Sequence, residues 1–187
     1  MTDLDHPAPS FSTDQAQALA RDLYGIEGSV SRLNSERDQN FKLVSGQGDW
    51  TLKIVNASEP VLESEFQTAL LEHLERMRPD TAVPQLQKAK DTRALAEVWA
   101  DSGERHAVRL VSWLAGKPLA ESARTPEVLH SLGRALGRLD RALQGFIHPG
   151  ALRELDWDIR RAGEARARLH HVRDEADRAL LARLLDR

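Results

Sequence analysis

The feature that most constrains the fold is a change in the spacing of apolar residues along the chain. From residue 29 to residue 56 the pattern has a period of two, whereas on both sides apolar residues recur three and four positions apart. A period of two indicates β-strands, and a period near 3.6 indicates amphipathic helices. We predict strands at about 29–33, 40–45 and 50–56, with a hairpin turn at Gly46-Gln-Gly-Asp49 between the second and the third.

Helical patterns flank these strands, and two more strand-like runs follow. A short helix is predicted to begin at Ser12, which precedes Gln15 with the spacing of a capping box. A longer helix starts after Pro60. Further strands are predicted at about 85–100, with a break, and at 106–114. This order of elements predicts an α+β fold, in which a five-stranded antiparallel sheet carries one inserted helix.

Beyond residue 115 the sequence shows only helical patterns. Thr125 and Pro126 form a strong helix start, because threonine suits the N-cap and proline the first helical position. Two more helices are predicted at about 156–172 and 174–187. The predicted divisions are a flexible tail at 1–11, a sheet-containing lobe at 12–115 and an incomplete helical lobe at 116–187.

Composition excludes several classes of function. The 187 residues carry a net charge of −3, which does not provide the basic surface typical of nucleic-acid binding. The chain has no cysteine, so disulfides, thiolate metal sites and cysteine nucleophiles are excluded. The N-terminus lacks the regions of a signal peptide, and no apolar run has the length of a membrane span. We therefore expect a cytoplasmic protein without nucleic-acid or membrane partners.

Lys53 is the first candidate for chemistry. Strand alternation places it on one face with Thr51 and Val55, in the middle of an apolar strand. Its ammonium needs a polar partner, and an anionic ligand such as a nucleotide phosphate would provide one. The alternative is an edge-strand lysine that points to water and prevents aggregation. The order of the surrounding elements favours the ligand.

Three other segments could complete such a site. The polar turn between Leu33 and Asn40 has no glycine, but its N–H groups and the Ser35 hydroxyl could bind phosphate oxygens. On the following helix, Glu63 and Gln67 are the best candidates to pair with the lysine. The segment 112–114 could present backbone groups to an adenine edge. Each segment has an alternative interpretation. The turn could be a solvated hairpin, the helix side chains a solvated helix face, and the segment 112–114 the end of a core strand followed by a glycine turn.

Five motifs occur in an order and spacing found in a known family. They are Leu33-Asn-Ser-Glu-Arg-Asp-Gln-Asn-Phe41, Leu52-Lys-Ile-Val-Asn56, Phe66-Gln-Thr-Ala-Leu-Leu-Glu-His-Leu74, Val108-Arg-Leu-Val-Ser-Trp-Leu-Ala-Gly-Lys-Pro-Leu119 and Leu155-Asp-Trp-Asp158. With them the chain, from about residue 12 to its end, resembles the aminoglycoside phosphotransferase (choline/ethanolamine kinase-like) superfamily. Within it, the chain is most similar to the hydroxylysine kinase-like branch, which also occurs fused to a class III aminotransferase.

The resemblance implies a protein-kinase-like small lobe, followed by the first helices of a truncated helical large lobe. It implies ATP as the nucleotide, with Lys53 on the α- and β-phosphates. Gln67 takes the position where many relatives have the glutamate that pairs with this lysine. The remaining implied nucleotide-binding residues are Ser35, Arg37 and Asn40 in the turn over the triphosphate, and Ser112, Trp113 and Leu114 in the adenine-binding hinge.

The family's catalytic loop, His-Gly-Asp-x-x-x-x-Asn, is not found in this sequence. In relatives this loop supplies the base, and with a later Asp it holds Mg²⁺. The resemblance therefore implies the N-terminal portion of an ATP-dependent kinase acting on a hydroxyl of an amino acid or amino alcohol. We expect this chain to be inactive alone, with no catalytic or metal-binding residue, and Mg²⁺ to bind only in the full-length protein.

Two other hypotheses remain open. The chain could be a non-catalytic, pseudokinase-like module that binds a nucleotide or a partner, or a helical adaptor whose strands bind no ligand. A small-molecule acceptor is expected only in the full-length protein. The last predicted helix would normally pack against the missing part of the large lobe, so we expect its leucines to be exposed and to mediate a homodimer. These leucines are Leu180, Leu181, Leu184 and Leu185.

Overall fold

The computed structural model of the chain describes residues 6–78, 82–153 and 158–186. The chain forms two compact units, Met1–Ala151 and Leu152–Arg187, and each is described by itself. The helices of the first unit are α1 (Thr13–Tyr24), α2 (Val61–Met77) and α3 (Pro126–Ala142). Its strands are β1 (Gly28–Arg32), β2 (Gln39–Ser45), β3 (Gly48–Ile54), β4 (Leu86–Gln87), β5 (Ala96–Trp99) and β6 (Arg105–Ser112).

All strand pairs of the first unit are antiparallel, and the sheet has the order β1-β2-β3-β6-β4, with β5 also paired to β6. The short strand β4 pairs with β6 near Val111, and β5 pairs with β6 between Arg105 and Val108. Six strands therefore occupy five positions, because β4 and β5 share one side of β6. This arrangement confirms the predicted antiparallel sheet and the break expected within 85–100.

Helix α1 covers one face of the sheet. At the start of α1, the Ser12 hydroxyl accepts a hydrogen bond from the Gln15 N–H, and the Gln15 side-chain oxygen accepts one from the Ser12 N–H. Gly25 ends the helix with φ +71°. Ala16 and Ala20 of this helix pack against the alternate strand residues that face them. The buried strand residues of this core include Phe41, Leu43, Leu52, Ile54, Val108 and Leu110.

The residues between these core positions face the opposite side of the sheet, because successive side chains of a strand alternate. Helix α2 lies on this side, where Arg109 of β6 contacts its Ser64 and Gln67. At the other end of α2, His73 Nε2 lies 2.9 Å from the carbonyl oxygen of Ala142, the last residue of α3. Helix α2 is therefore fixed both to the sheet and to the end of α3.

The second unit contains a 3₁₀ helix, Ile159–His171, followed by α4 (Glu175–Leu184). Asp158 caps the 3₁₀ helix by accepting a hydrogen bond from Arg160 N–H at 3.0 Å. The sequence predicted an α-helix at about 156–172, and the difference has a physical reason. No residue of the 3₁₀ helix is buried, so no apolar stripe stabilises it as an α-helix. Among the described residues, none of the helices is both long and apolar enough to cross a bilayer.

Candidate nucleotide-binding site

Lys53 lies near the C-terminal end of β3, between Asn40 of β2 and Arg109 of β6. Because β3 pairs with a strand on each side, Lys53 is not an edge-strand residue, and the anti-aggregation alternative does not apply. The side chain is 26% exposed and therefore accessible to a ligand. Lys53 lies on the face opposite α1, because its neighbours Leu52 and Ile54 belong to the core that packs against α1.

Asp38, in the turn between β1 and β2, is the ion-pair partner of Lys53. Its Oδ2 contacts the Lys53 ammonium, and its Oδ1 accepts a hydrogen bond from the Asn56 N–H at 2.9 Å. We expected a side chain of α2, Glu63 or Gln67, to pair with the lysine. Within the described part of the chain, the carboxylate paired with Lys53 instead comes from the turn.

Asn56 fastens the turn to the end of β3. Its side-chain Nδ2 donates to the carbonyl oxygens of Arg37, at 3.0 Å, and Pro7, at 3.1 Å. Its Oδ1 accepts from both the N–H and the hydroxyl of Ser58. Asn56 is only 3% exposed, so these bonds are shielded from water. These bonds hold the turn against the segment that follows β3, beside Lys53.

The same turn carries N–H groups that are open to a ligand. Its base is closed by hydrogen bonds from the Leu33 N–H to the Asn40 carbonyl oxygen at 2.9 Å and from Asn40 Nδ2 to Ser35 Oγ at 3.0 Å. The N–H groups of Ser35 and Glu36 have no hydrogen-bond partner in the chain as far as it is described. Successive N–H groups in a turn are a feature of many anion-binding sites.

Arg109 is a second cation next to Lys53, and sequence reasoning missed it. It is 4% exposed, and its guanidinium donates to Gln67 Oε1 and, at 3.4 Å, to the carbonyl oxygen of Ser64. Burial lowers the pKa of Arg109, and the carboxylates of Glu59 and Asp38 act in the opposite direction. An arginine between apolar residues in mid-strand was a signal of the same kind as Lys53. Asp38 gave no comparable signal, because carboxylates are common in polar turns.

The predicted hinge lies at the other end of β3, where Trp50 pairs with Ser112. Lys53 follows Trp50 by three positions along the extended strand, which corresponds to about 10 Å. The N–H of Ser112 donates to the Gln85 carbonyl oxygen at 2.8 Å, and that of Trp113 to the Asp49 carbonyl oxygen at 2.9 Å. Neither N–H is therefore available to an adenine edge.

Leu114 is the hinge residue that can still donate. It is exposed, and its N–H has no hydrogen-bond partner among the residues that the structure describes. The neighbouring Trp113 ring is covered by the Lys42 ammonium, 4.6 Å from the ring centroid, and Lys42 is held by Asp49 at 3.2 Å. Within the described residues, the arrangement therefore leaves the Lys53 ammonium partly exposed and the Leu114 N–H without a partner at the predicted hinge. Leu155, Asp156 and Trp157 of the last motif lie outside the described residues.

Residues 29–187 match the family model described as the phosphotransferase enzyme family, APH. Hydroxylysine kinase of Bos taurus is 33% identical over 155 residues, which cover 75% of this chain and 41% of that protein. Hydroxylysine kinase of Xenopus laevis is 30% identical over 157 residues, covering 78% of this chain and 42% of that protein. The chain thus spans about two fifths of the length of these curated relatives.

Solved structures of kinases share the fold. The amicoumacin kinase hAmiN, in complex with AMP-PNP, Ca²⁺ and Ami, has a TM-score of 0.68 at 13% identity, over 91% of this chain and 54% of that one. The microcompartment-associated aminopropanol kinase has a TM-score of 0.60 at 18% identity, over 88% of this chain and 58% of that one. Spectinomycin phosphotransferase, in complex with ADP and spectinomycin, has a TM-score of 0.62 at 11% identity, over 87% of this chain and 47% of that one.

Proposed function

The chain belongs to the phosphotransferase enzyme family, and from this premise we propose that it is the nucleotide-binding part of an ATP-dependent small-molecule kinase. The position of Lys53 is the observation that carries the proposal. A half-buried cation lies on a central strand of the sheet, beside a turn in which two N–H groups have no partner among the described residues. A triphosphate would satisfy both features, because its oxygens accept hydrogen bonds from ammonium and amide groups.

In the proposed complex the residues of this chain bind and orient the nucleotide. Lys53 would contact the α- and β-phosphates, and the turn residues Ser35, Arg37 and Asn40 would cover the triphosphate. Leu114 N–H would donate to the adenine edge from the opposite end of β3. Positioning and charge stabilisation account for most of the catalysis of phosphoryl transfer, so these contacts would align the γ-phosphoryl group with an acceptor hydroxyl.

We further propose that the acceptor is a hydroxyl of an amino acid or an amino alcohol. The curated relatives are hydroxylysine kinases, and one structural neighbour is an aminopropanol kinase. Mg²⁺ normally neutralises phosphate charge in such enzymes. Among the described residues no group of three or more His, Cys, Asp and Glu side chains could hold a metal ion, so we assign Mg²⁺ to no residue of this chain.

The nucleotide site is tested by titrating the chain with a fluorescent ATP analogue in the presence of Mg²⁺. Lys53→Ala should weaken binding by at least about tenfold, because it removes a charge-assisted hydrogen bond to phosphate. Lys90→Ala is the matched control, since Lys90 is exposed and donates to the Arg21 carbonyl oxygen of α1, away from the proposed site. Equal affinities of the wild type and the Lys53→Ala variant would refute the site.

The second candidate function is a nucleotide-binding module without catalysis. It rests on the same partly exposed Lys53 ammonium, because nucleotide binding by itself needs no catalytic base. The two candidates differ in phosphoryl transfer and not in binding. Phosphate transfer from ATP to hydroxylysine or an amino alcohol by the full-length protein would support the kinase. Nucleotide binding with no transfer to any of these acceptors would support the module.

A further inference from the structure

We propose that Asp38, in the turn between β1 and β2, is the positioning residue of Lys53 and takes over the role that a helix carboxylate has in other kinases. The inference rests on the proposed nucleotide site and adds a residue to it. In protein kinases the strand lysine pairs with a glutamate of the following helix. Here the corresponding helix is α2, and it contacts the sheet through Arg109.

On α2, the side chain at the position of that glutamate is Gln67, and it is already hydrogen-bonded to Arg109. The Gln67 amide oxygen accepts from Arg109, and the carbonyl oxygen of Ser64, one turn earlier, accepts from the same guanidinium at 3.4 Å. Arg109 is 4% exposed, so this connection between α2 and β6 is buried. Helix α2 is therefore anchored to the sheet through Arg109, independently of Lys53.

Asp38 is suited to orient the lysine because both of its oxygens are used. Oδ1 is fixed by the Asn56 N–H at 2.9 Å, directly after β3, and Oδ2 faces the Lys53 ammonium. The Asp38 side chain is 16% exposed, so the ion pair is only partly screened by water. An ammonium has three donors, and Lys53 can keep Asp38 as a partner while it donates to a phosphate.

The consequence is a coupling between the lysine and the turn. Asp38 belongs to the same turn as Ser35 and Glu36, whose N–H groups face no partner within the described chain. A phosphate bound by these N–H groups would therefore hold Asp38, and with it the ammonium of Lys53. The position of Lys53 depends on the turn, whereas in kinases with the helix glutamate it depends on the helix.

The first test needs no nucleotide. The chain is treated briefly with an acetylating reagent, and mass spectrometry measures the acetylation rate of Lys53. Asp38→Asn should raise this rate several-fold, because the ammonium is no longer held by a carboxylate. Gln67→Ala should leave it unchanged, since Gln67 binds Arg109. The opposite result, with an effect of Gln67→Ala and none of Asp38→Asn, would overturn the proposal.

The second test is a double-mutant cycle on the affinity for a fluorescent ATP analogue. Asp38→Asn should weaken binding by roughly tenfold when Lys53 is present and have no effect in the Lys53→Met background. The substitution keeps an oxygen for the Asn56 N–H, and Asp38→Glu should restore part of the affinity. Glu97→Gln is the control, because it changes a carboxylate of the same sheet that pairs with Arg105 at 2.9 Å.

The outcomes separate the two proposals. If Asp38→Asn weakens binding equally in both backgrounds, Asp38 supports only the turn, and the positioning role is wrong. If Asp38→Asn tightens binding, Asp38 competes with phosphate for the lysine, which also overturns the role. If Lys53→Met does not weaken binding, the proposed nucleotide site fails, and the acetylation rates still decide whether Asp38 positions Lys53.

Discussion

Two cations lie side by side on one face of the sheet, and their surroundings give them different roles. Lys53 is 26% exposed and has one carboxylate partner, so it remains able to bind a ligand. Arg109 is 4% exposed and donates to two neutral acceptors of α2. A buried guanidinium that satisfies buried acceptors contributes to the fold. At the scale of single residues, burial therefore distinguishes the candidate ligand-binding cation from the structural one.

Replacement of Arg109 tests this distinction. We expect Arg109→Met to lower the free energy of unfolding by about 1–3 kcal/mol, because the partly buried Gln67 Oε1 loses its donor. The Ser64 carbonyl oxygen loses one bond and keeps the one from the Thr68 hydroxyl. Urea denaturation measures the change. Arg93→Met is the control, since Arg93 lies on the surface in an ion pair with Asp91 and should leave the unfolding curve almost unchanged. Equal stability of the two variants would contradict the structural role of Arg109.

At the scale of elements, α2 is held at both of its ends. Near its start Arg109 connects it to β6. An aromatic cluster that extends from Phe66 to His73 of α2 connects the helix to the segment after α3. The Phe66 and Phe146 ring centroids are 5.8 Å apart, and those of His73 and Phe146 are 5.2 Å apart. Gly150 lies against the same helix and is buried. The packing of α2 thus depends on residues that come after α3 in the sequence, Phe146 and Gly150.

A methyl group at Gly150 probes this packing. An added Cβ would lie 2.7 Å from Phe66 Cβ and 2.8 Å from the Leu62 carbonyl oxygen, so the segment or α2 must move. We expect Gly150→Ala to reduce stability by about 1–3 kcal/mol, as overpacking of a core usually does. The measurement is the thermal midpoint, and Gly133→Ala is the comparison. Gly133 lies within α3 with open space around it, so alanine should stabilise the chain by about 0.5–1 kcal/mol. Similar shifts in both variants would argue against close packing at Gly150.

At the scale of the whole molecule, each unit exposes apolar side chains on a helix. On α3 of the first unit, Leu129 and Leu136 are each 52% exposed. On α4 of the second unit, Leu180 is 46% and Leu184 is 53% exposed. Apolar surface that groups on one helix usually marks an interaction site. We propose that a second copy of the chain covers the leucines of α4, as the sequence analysis expected.

Sedimentation equilibrium tests this association. We expect the wild-type chain to form dimers at micromolar to millimolar concentrations, and the double substitution Leu180→Glu and Leu184→Glu to shift the equilibrium to monomers. Charged side chains would have to be desolvated in the interface, which is unfavourable. Ile147→Glu is the control, because Ile147 is 91% exposed and belongs to the first unit. A wild-type monomer at the highest concentration would show that this surface does not mediate self-association.

The sequence by itself determined the elements and the face on which Lys53 lies. Apart from the 3₁₀ helix at Ile159–His171, most of the observed strands and helices lie close to the predicted positions, and Ser12 and Thr125 cap the starts of helices as expected. These features depend on contacts between residues near in sequence, such as caps, turns and alternation. The order of the elements was also sufficient for the α+β fold, and the resemblance of five sequence motifs was sufficient for the family.

Only the tertiary structure decided which groups of the site are already engaged. In the structure Lys53 pairs with Asp38, and Arg109 donates to Gln67, which lies 42 residues earlier in the sequence. The N–H groups of Ser112 and Trp113 donate to backbone carbonyl oxygens. The ligand roles of the predicted site residues remain predictions. The physical reason is that these contacts depend on strand register and helix placement, and burial then fixes which donor meets which acceptor. A local sequence pattern can predict the face of a strand on which a lysine lies. It does not predict which residue, distant in sequence, becomes its partner in the folded chain.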